Sequence, residues 1–262
     1  VQEFVAITDG YQVVLLDAYG RQHWTYQTPR QDTFVQLAAL NVDGASDSHL
    51  EILLATQDEL FLLASDGQLL WRNPLDLPPI PTVLLTGTID EARQGAARNR
   101  PLHLAGFDHN GDGNEELLVL LQSGLVQLYD ERGDLLWKYP ESPPASDEPL
   151  PLLAVGDLDR DGRQEIVFSH FVRYTKVVVL DSDGQRVWER SLSGRTTAME
   201  LVSWDENSPM DIALGTSFRD DERRVVLYDA GGAPRWYRTP NRTVTSLRTA
   251  QLPQGRVLLA GT

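Results

Sequence analysis

The chain has 262 residues, of which 41% are hydrophobic, with no cysteine and a formal net charge of −15. The lack of cysteine excludes disulfides, thiolate metal sites and a cysteine nucleophile. No apolar run approaches the roughly 18 residues that a membrane-spanning helix needs. Because nucleic-acid binding depends on a basic footprint, the acidity argues against DNA or RNA as a partner.

The chain opens inside a strand-like apolar run, Glu3–Thr8, without an initiating methionine or a signal peptide. We therefore expect a segment of a longer protein, with any targeting signal outside this sequence. The location that we expect is extracellular, periplasmic or at the cell surface.

A phrase that ends in tryptophan then recurs five times along the chain. Each copy has a glycine four residues before the tryptophan. The copies are D-A-Y-G-R-Q-H-W at 17–24, A-S-D-G-Q-L-L-W at 64–71, D-E-R-G-D-L-L-W at 130–137, D-S-D-G-Q-R-V-W at 181–188 and D-A-G-G-A-P-R-W at 229–236. Consecutive tryptophans are 47, 66, 51 and 48 residues apart. A period of roughly 40–50 residues with several short strands is typical of a β-propeller or another repeat array.

Each period contains four short apolar runs separated by turn residues. In the fourth period these predicted strands are Leu152–Val155, Glu165–Phe168, Lys176–Leu180 and Arg186–Trp188. Nearly continuous apolar runs fit strands that are buried on both faces, as in stacked propeller blades. The sequence predicts an all-β propeller of four-stranded antiparallel blades. The glycine of each phrase should supply a positive φ, and the tryptophan should pack between neighbouring blades.

We expect one domain over residues 1–262, with about five periods visible. The predicted units are 1–28, 33–73, 101–140, 150–190, 196–238 and 243–262, with an insertion at about 74–100. The first run, Glu3–Thr8, has the same place in the repeat as Val257–Thr262. Either the ring is larger and continues outside this sequence, or a small ring closes by pairing the C-terminal strands with the N-terminal strands.

Two acidic loops follow the pattern D-x-[DN]-x-D-G-x-x-E, at residues 108–116 and 157–165. Oxygen ligands at positions 1, 3 and 5 converge if the backbone curls, and glycine at position 6 permits that curl. Position 7 offers a backbone carbonyl and position 9 a carboxylate, which suits Ca²⁺ better than Mg²⁺. An EF-hand is excluded because its position 12 would be Val119 or Phe168, inside an apolar strand.

Two further loops are degraded copies of this pattern. One keeps Asp43, Asp47 and Glu51 and predicts a weak third cation site or none. The other runs from Ser203 to Asp211 and has lost the first acid and the glycine, so we expect no metal there.

The string G-D-L-D-R-D-G at 156–162, followed by E-I-V at 165–167, resembles the FG-GAP/VCBS repeats of integrin-α-like β-propellers. The resemblance implies Ca²⁺ in the hairpin between the first and second strands of a blade, and two ions in this chain. Asn114 and Arg163 would bind through their backbone carbonyls. By position, the implied ligands are Asp108, Asn110, Asp112, Asn114 and Glu116 in one loop, and Asp157, Asp159, Asp161, Arg163 and Glu165 in the other.

The sequence contains no paired-histidine motif, nucleophile elbow or phosphate-binding glycine loop, so we assign no catalytic residue. Long loops with arginine and aromatic residues fall on the face opposite the acidic hairpins. These loops suit recognition of a protein or glycan, with an acidic or carbohydrate surface. The residues predicted to bind this partner are Arg173, Tyr174, Phe218 and Arg219.

The favoured hypothesis is a non-catalytic, calcium-binding propeller that acts as an extracellular or periplasmic binding or adhesion module of a larger protein. The alternative is a propeller enzyme, either a polysaccharide lyase or a quinoprotein-like oxidoreductase, with its site on the face opposite the calcium hairpins. The tryptophan phrases resemble those of quinoprotein propellers, but lack the form A-x-D-x-x-T-G-x-x-x-W. A purely structural scaffold is a third hypothesis.

Overall fold

The computed structural model describes residues 3–9, 11–28, 33–44, 50–77, 100–140, 151–171, 175–217, 223–253 and 255–262. In these ranges the regular structure consists of 21 strands and no helix. The same part of the chain accordingly offers no helix that could span a bilayer.

The strands form antiparallel sheets in which each strand pairs with its neighbours in sequence. Blade 1 has three strands, β1 (Glu3–Thr8), β2 (Gln12–Asp17) and β3 (Gln22–Gln27). Blade 2 has β4 (Gln36–Leu40), β5 (Glu51–Ala55), β6 (Glu59–Leu63) and β7 (Leu69–Pro74). Blade 3 has β8 (Pro101–Phe107), β9 (Glu116–Leu121), β10 (Val126–Tyr129) and β11 (Leu135–Tyr139).

Blades 4 and 5 repeat this order, and a two-stranded sheet follows them. Blade 4 has β12 (Leu152–Gly156), β13 (Glu165–Phe171), β14 (Thr175–Leu180) and β15 (Arg186–Leu192). Blade 5 has β16 (Arg195–Val202), β17 (Asp211–Ser217), β18 (Arg224–Tyr228) and β19 (Pro234–Arg238), and the last sheet has β20 (Ser246–Leu252) and β21 (Gly255–Gly261). The prediction of four-stranded antiparallel blades is confirmed.

The chain divides into two compact units. The first consists of Val1–Phe107 with Asp112–Pro143, and the second of Asp108–Gly111 with Pro144–Thr262. Most of the predicted insertion at 74–100 lies outside the described residues, which stop at Leu77 and resume at Arg100.

Each unit has its core between successive blades. In the first unit, Leu53 and Leu60 of blade 2 join Leu117 and Val119 of blade 3 in one buried cluster. In the second unit, strands β13, β14 and β17 supply a comparable cluster between blades 4 and 5. These central strands are covered on both faces, which explains their continuous apolar runs instead of an alternating pattern.

The glycine–tryptophan phrase forms the hairpin between the third and fourth strands. All five phrase glycines have positive φ values: Gly20 77°, Gly67 85°, Gly133 81°, Gly184 75° and Gly232 79°. In four of the five copies an aspartate opens the phrase and stabilises the same turn. Asp17 Oδ1, for example, accepts bonds from the amides of Tyr19 (2.8 Å) and Arg21 (2.9 Å).

The tryptophan of one blade lies on the hairpin of the next. In the first unit, Trp24 Nε1 donates to Ser65 O (2.9 Å) and Trp71 Nε1 to Glu131 O (2.8 Å). In the second unit, Trp188 Nε1 donates to Ala230 O (2.8 Å). The predicted packing of tryptophan between neighbouring blades is confirmed at these three positions.

Two constraints therefore act on the phrase glycines: the backbone needs a positive φ, and the adjacent indole leaves little space for a side chain. A Cβ on Gly67 would lie 2.7 Å from Trp24, whereas a Cβ on Gly20 would meet no atom within 4 Å. Gly20→Ala should cost about 1–2 kcal/mol from backbone strain alone. Gly67→Ala should cost roughly 1–3 kcal/mol more, because the indole must shift. Chemical denaturation of the two variants measures this difference, and equal losses would show that the indole contact adds nothing.

Candidate metal centre

Both complete acidic loops connect the first strand of a blade to its second. One follows β8 and the other follows β12, and the last acid of each, Glu116 or Glu165, begins the next strand. Glu116 pairs with Phe107, and Glu165 with Gly156. The two glutamates thus have the same place in their blades, and both are buried.

The loop at 157–165 gathers three carboxylates. Ligand oxygens of Asp157, Asp159 and Glu165 lie within 4.8 Å of one another, and this is the one such group of acidic, histidine or cysteine side chains in the described part of the chain. Backbone turns at Arg160 (φ 69°) and Gly162 (φ 92°) produce this curl. The Asp157 carboxylate accepts the amides of these same residues, at 2.8 Å and 3.1 Å.

The charge of this cluster is poorly compensated by the protein. Burial, together with the nearby carboxylates of Asp159, Asp161 and Asp157, raises the pKa of Glu165 to about 7, against a hydrogen bond from the Leu158 amide that lowers it. That bond, to Glu165 Oε2, measures 2.7 Å. A group of oxygen donors with excess negative charge fits a hard cation such as Ca²⁺.

Two implied ligands of this loop lie outside that group of three. Asp161 Oδ1 accepts the Arg163 amide at 2.8 Å. The Arg163 guanidinium points to another acid, with Nη2 3.7 Å from Asp183 Oδ2. The carbonyl oxygen is therefore the atom through which Arg163 could bind a cation.

The loop at 108–116 has the same backbone turns as the loop at 157–165. Gly111 (φ 77°) and Gly113 (φ 91°) correspond to Arg160 and Gly162. In the second unit, Asp108 Oδ1 accepts the Gly111 amide at 2.7 Å. In the first unit, Asp112 Oδ1 accepts the Asn114 amide at 2.8 Å. Metal binding by Asp108, Asn110, Asp112, Asn114 and Glu116 stays a prediction.

In the structure, the third, degraded loop aligns with the loop at 157–165 differently from the alignment that its sequence spacing predicts. Glu51 pairs with Leu40, and Glu51 Oε2 accepts the Val42 amide at 3.1 Å, as Glu165 accepts that of Leu158. Counted this way, Asn41 corresponds to Asp157 and Asp43 to Asp159. Sequence reasoning missed Asn41 because this loop is longer than the other two. The predicted ligand Asp47 lies outside the described residues.

The four residues predicted to bind a partner are not among those that the structure describes. Arg173 and Tyr174 fall between the described residues Phe171 and Thr175. Phe218 and Arg219 fall between Ser217 and Arg223. Their role stays a prediction.

A buried histidine in β13 was not singled out by the sequence. His170 is 9% exposed and stacks on Phe168, with ring centroids 5.7 Å apart. Burial, together with the charge of Lys176, lowers the pKa of His170 to about 4, while the charge of Glu189 opposes this shift. His170 is therefore a neutral core residue at physiological pH.

Comparison with known proteins agrees with this architecture. The family described as FG-GAP-like repeat matches residues 108–168, which include both complete acidic loops. The V. cholerae biofilm matrix protein Bap1 is similar in structure, with a TM-score of 0.62 and 13% identity over 95% of this chain and 38% of that chain. BBS1N, in its complex with ARL6DN, has a TM-score of 0.63 and 12% identity over 96% of this chain and 69% of that chain. The exotype rhamnogalacturonan lyase YesX has a TM-score of 0.61 and 17% identity over 95% of this chain and 46% of that chain. No curated protein matches the sequence.

The protein is a β-propeller. Its residues 108–168 form an FG-GAP-like repeat, which confirms the resemblance seen in the acidic strings. The low identities to the solved structures show a common fold alone. The chain spans 38% of Bap1 and 46% of the lyase, so the activities of those whole proteins do not transfer to it.

The buried histidine predicts a loss of stability in acid. Below pH 6.5 the unfolded chain binds a proton at His170, whereas the folded chain does not until about pH 4. Stability should fall by about 3 kcal/mol over that window as the pH decreases. His170→Phe should remove this part of the decrease, and His23→Gln, at a half-exposed histidine, should not. Denaturation at several pH values measures it, and identical slopes for wild type and His170→Phe would contradict the assignment.

Proposed function

We propose that the protein is a non-catalytic, calcium-stabilised β-propeller that serves as a binding or adhesion module of a larger protein, outside the cytoplasm. The observation that carries the proposal is the group formed by Asp157, Asp159 and Glu165. Its members offer only carboxylate oxygens, and its charge exceeds what the surrounding protein compensates.

Calcium fits this group better than magnesium does. Ca²⁺ accepts six to eight oxygen ligands in flexible geometry, whereas Mg²⁺ demands a strict octahedron and keeps its waters. When bound, the ion supplies positive charge and fixes the loop. The residues that would hold it are Asp157, Asp159, Asp161, Glu165 and the Arg163 carbonyl, and, in the other loop, Asp108, Asn110, Asp112, Glu116 and the Asn114 carbonyl.

The loop at 157–165 also contacts the next blade of its unit. Arg160 donates from Nε to Ser208 O (3.1 Å) and from Nη2 to Ser203 Oγ (2.9 Å). The Met210 amide donates to Leu158 O (2.7 Å). An ion that fixes this loop would therefore stabilise the junction of blades 4 and 5. This supports a structural role for the metal.

Several observations support a binding role and an extracellular location. Calcium sites of extracellular modules have dissociation constants of roughly 10⁻⁴–10⁻³ M, which only calcium-rich surroundings fill. Among the structural neighbours, one is named as a biofilm matrix protein and another is in a protein complex. The partner that we propose is a protein or glycan, bound on the face opposite the acidic hairpins.

Calorimetric titration with Ca²⁺ tests the metal half of the proposal. We expect two ions per chain, with the loop at Asp157 the tighter because it offers four carboxylates against three. Asp159→Asn should abolish the tighter site. In EDTA the same variant should melt above wild type by a few degrees, because one repelling charge is gone. Asp66→Asn is the control, since Asp66 caps a similar turn at Gln68.

Two results would refute the calcium proposal. One is a titration without heat together with a melting temperature that EDTA does not change. The other is an Asp159→Asn protein that keeps both ions.

A binding screen tests the partner half. Wild type should bind an acidic glycan or an acidic protein, and an Arg173→Ala/Arg219→Ala variant should lose most of that binding. The matched control is Arg21→Ala/Arg132→Ala, at two arginines of third-to-fourth-strand hairpins. If the folded Asp157→Ala protein loses binding and the Arg173→Ala/Arg219→Ala variant does not, the partner surface lies on the calcium face.

A further inference from the structure

Blade 5 has a buried carboxylate where blades 3 and 4 have Glu116 and Glu165, the last acids of their loops. Asp211 begins β17 and pairs with Val202, as Glu165 begins β13 and pairs with Gly156. Its exposure is 0%. The loop before it has serine at the first and sixth positions, so it lacks the first acid and the glycine of the cation loops. A buried carboxylate without positive charge nearby is strongly unfavourable.

The positive charge in blade 5 comes from the chain itself. Arg235 Nε lies 2.8 Å from Asp211 Oδ1. This approach lacks the angles of a hydrogen bond, so the contact is an ion pair. Trp204 Nε1 donates to the other oxygen, Oδ2, at 2.8 Å. The carboxylate of Asp211 is thus covered on both oxygens.

The other carboxylate of this loop is also satisfied locally. Asp205 Oδ1 accepts the amides of Asn207 (2.9 Å) and Ser208 (2.8 Å). Its Oδ2 accepts the Ser208 hydroxyl at 2.7 Å. Blade 5 therefore compensates its acids without a metal, unlike the loop at Asp157.

Arg235 stands immediately before the repeated tryptophan, and the same position differs between blades. In blades 2, 3 and 4 it is Leu70, Leu136 and Val187, which are 54%, 45% and 56% exposed. These are the blades with complete or partial acidic loops. In blade 1 it is His23, whose Nε2 lies 3.9 Å from Oδ2 of Asp17 and 4.0 Å from Oε1 of the half-exposed Glu3, so blade 1 has no buried carboxylate to compare with Asp211 at this place.

We propose that Arg235 is the built-in cation of blade 5. Its guanidinium does for Asp211 what a bound ion would do for Glu165, and the blade is stable without metal. The residue before the repeated tryptophan then distinguishes blade 5, in which an arginine neutralises the carboxylate, from blades 2, 3 and 4, which have an aliphatic residue there and an acidic loop that needs a cation. The comparison with blade 4 rests on the proposed function, whereas the role of Arg235 does not.

A double-mutant cycle in EDTA tests the ion pair. Arg235→Met should lower the melting temperature by roughly 5–10 °C, because it leaves a buried charge unpaired. In the presence of Asp211→Asn the same change should cost only a degree or two. Arg238→Met is the control, since Arg238 is on the same strand but lies over the Trp236 ring. Additive effects in the cycle, or an equal loss from Arg238→Met, would overturn the proposal.

A transplant tests the distinction between blades. Val187→Arg should weaken Ca²⁺ binding at the loop of blade 4 at least tenfold, because the new guanidinium competes for Glu165. Val187→Gln, of similar length without charge, should leave the affinity nearly unchanged. Equal affinities for the two variants would refute the distinction. If wild type binds no Ca²⁺ at all, the proposed function falls, and the cycle in EDTA still decides the role of Arg235.

Discussion

In blades 3, 4 and 5 the second strand begins with a buried carboxylate, and in blade 2 it begins with the half-buried Glu51. At Glu51 and Glu165 this carboxylate accepts the amide of the second loop residue, which closes the hairpin. A buried carboxylate in that place closes the hairpin but is unfavourable without a positive partner. Arg235 supplies that partner in blade 5, whereas in blade 4 the proposed cation would supply it.

A second constraint, at the third and fourth strands, joins successive blades within each unit. The indole of Trp24, Trp71 or Trp188 covers a hairpin glycine, and its N–H satisfies a carbonyl of that hairpin. Because the contact is both steric and polar, it fixes the spacing of two blades as well as burying apolar surface. The hairpin must then be tight and free of a side chain at one point, which restricts that position to glycine.

Most of the fold follows from local patterns in the sequence. Continuous apolar runs, turn glycines and a constant period are enough to predict the strands and their order, and D-x-[DN]-x-D-G is enough to locate the loops. Contacts that depend on alignment between strands could not be found this way. Asn41 was missed because extra residues shift its loop. Arg235 was missed because it meets Asp211 only after β17, β18 and β19 pair. His170 was missed because an apolar strand gives no sign that one polar member is buried.

The tryptophan contact has a direction along the chain, since the indoles of Trp24, Trp71 and Trp188 each reach a hairpin in the following period. A whole period contains both the tryptophan and the hairpin that such a contact needs. Duplicating a whole period therefore keeps these contacts, whereas adding half a period would leave an indole without a hairpin to contact. Lengthening by complete periods is thus the change that preserves the contacts between blades. The longest interval between tryptophans, 66 residues, includes the connection from β7 to β8, whereas the others are 47, 51 and 48 residues.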